Sequence, residues 1–266
     1  RSGVGAVMGS KNLKAITVRG TSKVNLFDEE SLKLVVKDCM AKIKENGVTG
    51  QGLPAYGTAV LVNIINENGV FPTNNYQTSQ FDKAEEISGE TLAEKYLIKR
   101  VGCYRCPIAC GRFCKVDDLE TAGPEYESLW AFGGDCGVSD MKTIIYANHW
   151  CNELGMDTIS AGCTVAAAME LYQKGYIKDD ELDGVSLKFG DGQAVVDWIK
   201  RIGFREGLGD KMAEGSYRFA ESYGAPELSM TVKKLELPAY DPRAIQGQGL
   251  QYATSNRGGC HVRGYM

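Results

Sequence analysis

Cys103-Tyr104-Arg105-Cys106-Pro107-Ile108-Ala109-Cys110 places three thiols within eight residues, spaced C-x2-C-x3-C, with a proline directly after the second. Spacing this tight lets three sulfurs converge on one small inorganic object, because a single loop or helical turn carries them all. An iron–sulfur cluster and a zinc ion are the two candidates. A disulfide framework is the rival, and the rest of the chain argues against it. The nine cysteines are an odd number spread over 266 residues, without the density of a disulfide scaffold. No secretory signal opens the sequence, so reduced thiols in a cytoplasmic compartment are expected. A [4Fe–4S] cube needs a fourth ligand, and Cys114, four residues on, is the nearest alternative.

Working outward from this stretch, the periodicity is mostly helical. Upstream, Leu32, Val35, Val36, Cys39, Met40 and Ile43 recur at three- and four-residue spacing, which predicts a helix from Asp28 to Glu45 with Cys39 and Met40 in the core. Further helices are expected over residues 59–66 and 88–99, the second delivering the chain to Cys103. Downstream, helices are predicted over 140–154, over 161–174 with Thr158 or Ser160 as N-cap, and over 193–202 and 208–223. The small apolar residues Ala161, Gly162 and Ala166–Met169 have the composition of a tightly packed central helix. Pro238 and Pro242 keep 235–243 extended. Strand signals are sparse, and Ala15-Ile16-Thr17-Val18 is the clearest of them.

Composition sets the outer limits. With 43% hydrophobic and 24% charged residues, the chain is an ordinary globular protein long enough for a sizeable core. A net charge of −4 excludes the basic footprint of a nucleic-acid binder. No apolar run approaches the roughly 20 residues of a spanning helix. The chain opens at Arg1-Ser2-Gly3 without an initiator methionine and closes at Gly264-Tyr265-Met266, so a piece of a longer polypeptide is expected.

Several other stretches invite chemistry singly and weakly. Gly3, Gly5 and Gly9 with Ser10-Lys11 form a Gly-rich loop, but the order is not that of a phosphate-binding P-loop, because Ser10 separates the glycine from the lysine. Gly123-Pro124-Glu125-Tyr126-Glu127 puts two carboxylates at a chain break, where one can serve as a general base. His149 and His261 are the two histidines.

Taken together these stretches are more specific. Gly5–Ile16, Cys103–Cys110, Gly123–Glu127, Asn152–Ser160 and Tyr252–His261 occur in an order that resembles the tungsten-containing aldehyde:ferredoxin oxidoreductase family. The resemblance implies a mainly α chain, the helical middle domain of a three-domain enzyme, with a short β segment at the N-terminus. Residues 1–22 would end the first domain, 23–234 would form the second, and 235–266 would begin the third. The missing first and third domains would belong to the same polypeptide, and the chain by itself is expected to be inactive.

The resemblance also implies a set of cofactors and roles. Cys103, Cys106 and Cys110 match three ligands of a [4Fe–4S] cluster, with the fourth lying outside this chain. Asn152, Gly155, Met156 and Asp157 match a D-x-x-G-L-D motif that contacts a pterin, with Asn152 replacing the usual aspartate. Arg1, Ser2 and Gly3 match the contact to the pterin phosphate and its magnesium. The metal would be tungsten or molybdenum held by two pterins. Glu127 is the implied base and His261 the implied hydrogen-bond donor to the substrate, with Glu125 as fallback for Glu127. Ferredoxin is the implied electron acceptor and a small aldehyde the substrate. Some relatives carry an E-x-x-H pair that holds a bridging iron in a homodimer. Here Tyr146 stands in the place of the carboxylate, and His149 is expected to be structural. A reductase of the benzoyl-CoA type and a plain iron–sulfur electron carrier are the alternative readings.

Overall fold

The computed structural model describes residues 3–265. The chain divides into two compact units, one ending at Gln51 and the other beginning at Gly52. The first unit holds α1 (Val4–Ser10) and α2 (Glu29–Glu45). Asp28 caps α2 as its spacing predicted, accepting from the Ser31 amide at 3.0 Å. The expected strand over Ala15–Val18 is absent. Residues 11–28 have no regular structure apart from a short turn, and Ile16 and Val18 are 70% and 85% exposed. A strand is stabilised by a neighbour's ladder, and no strand is found among the described residues of this unit. Cys39 and Met40 are likewise exposed rather than in a core. Besides α2 itself, their own unit supplies only short helical turns and irregular chain among its described residues.

The second unit is mainly helical around a small sheet. After the short α3 (Leu53–Tyr56) come α4 (Leu61–Glu67) and α5 (Gly89–Lys95), the latter capped by Ser88. The helix expected to run to Lys99 stops at Lys95, because the chain turns into β1 (Leu97–Val101). β1 pairs antiparallel with β2 (Gly111–Val116), which pairs with β3 (Leu119–Ala122). Helical periodicity gives no warning of β1, since its pairing partner lies beyond the cysteine stretch.

Next come α6 (Tyr126–Phe132), α7 (Met141–Leu154) and α8 (Thr158–Gln173). α8 is the central helix: Ile159 and Ala161 through Leu171 are all buried. Its N-cap is Asp157, whose Oδ2 accepts from the Ser160 amide at 2.9 Å, so neither Thr158 nor Ser160 holds that place. α6 can lie close against α8 because Gly162 has no side chain. A Cβ there would sit 2.6 Å from the Ala131 carbonyl oxygen.

α9 (Gly192–Phe204) packs on α7, and the region expected as one helix over 208–223 is broken at Gly215 into α10 (Leu208–Met212) and α11 (Ser216–Ser222). A hairpin of β4 (Thr231–Val232) and β5 (Leu235–Glu236) leads into the 237–243 stretch. α12 (Gln246–Thr254) follows, in a glycine-rich run whose composition does not announce a helix. Leu237, Ala239, Tyr240, Tyr252 and Cys260 are buried in the core of this second unit. Among the described residues no helix is long and apolar enough to cross a membrane.

The tight α6–α8 approach can be tested directly. Gly162→Val should force the two helices apart and cost about 1–3 kcal/mol, read as a lowered melting temperature in the full-length protein. A melting temperature equal to wild type would show that the contact is slack.

Candidate functional site

The cysteine stretch is the connection between β1 and β2. Because the strands pair up to Val101 and Gly111, the chain leaves and returns at one place and must coil between. It does so with a turn in which the Cys106 amide donates to the Cys103 carbonyl at 3.0 Å, and with Arg105 and Ala109 at φ 59° and 52°. Two non-glycine residues in left-handed backbone each cost about 1–2 kcal/mol, the kind of strain that persists where the surroundings enforce a tight wrap. Arg112 fastens the base of the loop. Its guanidinium donates to the Ala109 and Ala55 carbonyls at 2.7 Å each.

Cys103 and Cys106 are exposed and Cys110 is half-buried. Burial first, and then the Glu125 carboxylate, push the Cys110 thiol above its ordinary range. Among the described residues no three His, Cys, Asp or Glu side chains are gathered to hold a metal ion. The chemistry of the donor set is that of a soft-metal or iron–sulfur site, three sulfurs on one loop. Cys114 does not complete it. That side chain is fully buried on β2 beneath Gly123, where a Cβ would lie 2.6 Å from its sulfur, and burial pushes its thiol up to about 11.

A second group forms at the start of α6. Thr58 does the capping there, accepting from the Tyr126 amide at 2.9 Å while donating to Glu125. Glu125 is thereby turned outward to Thr58. Glu127, one place into the helix, points the other way. Its Oε2 accepts from the Ala239 amide at 3.0 Å, and its Oε1 lies 3.5 Å from His261 Nε2. The two side chains are 14% and 19% exposed, so the pair sits mostly out of water with an open edge. The structure therefore brings together Glu127 and His261, which stand far apart in the sequence, and leaves Glu125 out.

Aromatic rings wall this pair. Tyr240 lies with its ring centroid 5.6 Å from His261 and 5.6 Å from Tyr126, and Tyr265 packs edge-on against it at 5.3 Å. Burial and then the Glu127 carboxylate raise the Tyr240 phenol far above its usual range, so it stays protonated. The Tyr126 hydroxyl donates to the Ala239 carbonyl at 2.9 Å. Sequence reading missed Tyr240, because it stood in a segment whose only legible signal was two prolines.

The third group is the α7–α8 corner. Gly155, in left-handed backbone at φ 68°, ends α7, and Asp157 starts α8. Met156 and Asp157 line a cavity of about 200 Å³ with Ser160, Thr164, Met212 and Gly215. Buried Glu236 backs this wall, accepting from Ser160 Oγ at 2.6 Å and from the Ser216 amide at 3.1 Å. The cavity is smaller than the roughly 300 Å³ of the smallest ordinary ligand pockets. Its lining mixes one carboxylate and two hydroxyls with two methionines. Asn152 is exposed on the last turns of α7. Gly3 precedes α1 with φ 71°; Arg1 and Ser2 lie outside the described residues. His149 is held in the structure, its Nδ1 3.1 Å from Thr121 Oγ1 and its ring packed on Trp150.

The family described as "Aldehyde ferredoxin oxidoreductase, domains 2 & 3" matches residues 34–266. The chain belongs to the aldehyde ferredoxin oxidoreductase family. It is 59% identical over 268 residues to a tungsten-containing aldehyde ferredoxin oxidoreductase of Pyrococcus furiosus and 58% identical over 268 residues to that of Thermococcus kodakarensis. Each match covers 100% of this chain and 44% of the relative, so the chain spans less than half the length of these curated relatives. An aliphatic sulfonate oxidoreductase, WOR-like subunit, of P. furiosus is 30% identical over 98% of this chain and 43% of its own length. Among solved structures, the active site complex BamBC of benzoyl coenzyme A reductase with 1,5 dienoyl-CoA shares the fold. Its TM-score is 0.76 at 24% identity, over 97% of this chain and 41% of that one.

The contrast in cysteine burial gives a test. In metal-free protein, iodoacetamide should modify Cys103 and Cys106 rapidly and leave Cys114, Cys136 and Cys151 intact until unfolding, as followed by peptide mass spectrometry. Early labelling of Cys114 would contradict its buried place on β2.

Proposed function

We propose that the protein containing this chain oxidises an aldehyde with water to a carboxylic acid and passes the electrons to ferredoxin. The observation that carries the reading is the Glu127–His261 pair, 3.5 Å apart in a half-closed aromatic site. When bound, a tungsten (or molybdenum) bis-pterin would accept the two electrons of the substrate, and a [4Fe–4S] cluster would hand them on singly.

The roles proposed for this chain's own residues are those the family resemblance implies, and the meeting of Glu127 with His261 supports two of them. Cys103, Cys106 and Cys110 would hold three corners of the cluster. Asn152, Gly155, Met156 and Asp157 would meet one pterin, and Arg1, Ser2 and Gly3 its phosphate and magnesium. Glu127 would take a proton from the attacking water, its carboxylate aimed by the Ala239 amide. His261 would donate from Nε2 to the carbonyl oxygen of the aldehyde, where negative charge grows on attack. Tyr240 fixes the ring of His261 by packing, and Tyr126 backs Tyr240 in turn. Residues 1–22, 23–234 and 235–266 are then parts of three domains of one polypeptide, whose free thiols suit a cytoplasmic setting.

In the full-length, metal-loaded enzyme, Glu127→Gln and His261→Ala should each lower aldehyde turnover about a hundredfold or more. Near wild-type rates with intact tungsten content would sink the assignment. Elemental analysis for tungsten, molybdenum, iron and zinc, with assays on aldehydes and acyl-CoA substrates side by side, separates this reading from a reductive one.

A further inference from the structure

Cys103 and Cys106 are exposed, so a cluster carried by their loop would lie close to the surface of the second unit. An electron leaving such a cluster passes to the protein that meets this surface. The side chains around the loop therefore define the partner that fits it.

Charge is unevenly placed here. The chain has 30 basic and 34 acidic residues, yet six basic and no acidic ones fall between Lys95 and Lys115. The six are Lys95, Lys99, Arg100, Arg105, Arg112 and Lys115. Arg112 is buried beneath the loop that it fastens, and Lys115 pairs with Glu120 at 3.6 Å. Asp117, on the turn after β2, is taken up by Lys142 at 2.8 Å. Lys99, Arg100 and Arg105 are exposed and have no ion pair among the described residues.

Two further features set this run apart from an ordinary solvated face. Arg100 stands directly opposite Arg112 in the β1–β2 register. Like charges so placed are destabilising, and burial and then the Arg100 charge lower the Arg112 guanidinium from its ordinary range. A cation at this position works against the sheet, and a use outside the fold accounts for it. The second feature is continuity. All ten residues from Ile98 to Pro107 are exposed, joining β1, the outer strand of its sheet, to the cysteine loop. Tyr104, 88% exposed, stands between the thiols of Cys103 and Cys106, with the Arg105 guanidinium 5.4 Å from its ring centre. Aromatic and arginine side chains of this kind anchor interfaces. Lys99 and Arg100 leave the strand on opposite faces, and a partner that meets the edge of the sheet reaches both.

We propose that the β1 edge and the cysteine loop, Ile98 to Pro107, form the docking surface for the electron acceptor, a ferredoxin that meets Lys99, Arg100 and Arg105 with an acidic face. The inference rests on the reading that this loop holds a cluster and that ferredoxin takes its electrons. No bond forms or breaks between the two proteins. Each docking passes one electron from the reduced cluster to an oxidised ferredoxin, so two ferredoxins leave reduced for each aldehyde oxidised. Redox encounters of this type bury less than roughly 1,200 Å² in total, which a run of ten exposed residues can supply. Complementary charge speeds their encounter and fades as salt is added.

Two measurements on the full-length protein test it. The first is independent of turnover: calorimetric titration with oxidised ferredoxin of the same organism at low ionic strength. Lys99→Gln/Arg100→Gln should weaken binding about tenfold and flatten its decline with added salt. Lys188→Gln/Arg218→Gln, which removes two exposed charges elsewhere on the second unit, should change neither. Equal weakening in both double variants would reduce the effect to net charge and overturn the proposal. Unchanged affinity in Lys99→Gln/Arg100→Gln would also overturn it, and self-association of that variant would then show that the cations only guard an open strand edge. The second measurement is aldehyde oxidation by the metal-loaded enzyme. In Lys99→Gln/Arg100→Gln, kcat/KM for ferredoxin should fall about tenfold, while iron content and turnover with the small dye benzyl viologen stay at wild type. Equal loss with both acceptors would place the defect in the cluster and overturn docking. If wild-type enzyme oxidises no aldehyde with either acceptor, the proposed function falls, and the titration alone decides whether ferredoxin docks here.

Discussion

The peptide unit at Ala239 is the contact on which the site depends. Its amide donates to Glu127 and its carbonyl accepts from Tyr126, so one residue fastens two consecutive side chains at the start of α6. The neighbouring Pro238 carbonyl takes the Tyr76 hydroxyl. Proline itself supplies no amide, so its carbonyl is free of any helical duty, and the two prolines at 238 and 242 keep this segment extended. An extended segment lying across a helix N-terminus presents amides and carbonyls alternately, and the site uses both. Without that segment, Glu127 would be a first-turn helix carboxylate facing water.

Packing around α8 makes the fastening durable. Small residues along α8 let α6 approach, and Gly162 against Ala131 is the closest point. α6 therefore cannot drift without overlap in a dense interior. The consequence reaches the Glu127–His261 pair, since Glu127 sits on α6. The cysteine loop is built on another principle. Its geometry is enforced by strand pairing at its base and by the Arg112 guanidinium, while its sulfurs remain mostly at the surface.

Local signals in the sequence carried far where the interaction is local. Asp28, Ser88, Asp140 and Gly155 mark helix ends because capping involves residues a few positions apart. The C-x2-C-x3-C stretch and the carboxylate pair at 125 and 127 were legible for the same reason. The first residues of β1 look like the end of a helix, since its pairing with β2 spans the whole cysteine loop. The strand expected at Ala15–Val18 failed because a run of β-formers says nothing about whether a partner exists.

The sequence by itself determined a mainly helical chain, the thiol-bearing loop and the carboxylate pair at 125 and 127. Only the tertiary structure decided that Glu127 rather than Glu125 meets His261, that Tyr240 walls them, and that Asp135 lies buried. The physical reason is separation along the chain. Caps, turns and ligand spacings are set by bonds between near neighbours, whereas the orientation of Glu127 and the burial of Asp135 are set by the 237–240 segment, by α8 and by the 71–79 loop, none of which their own sequence neighbours specify.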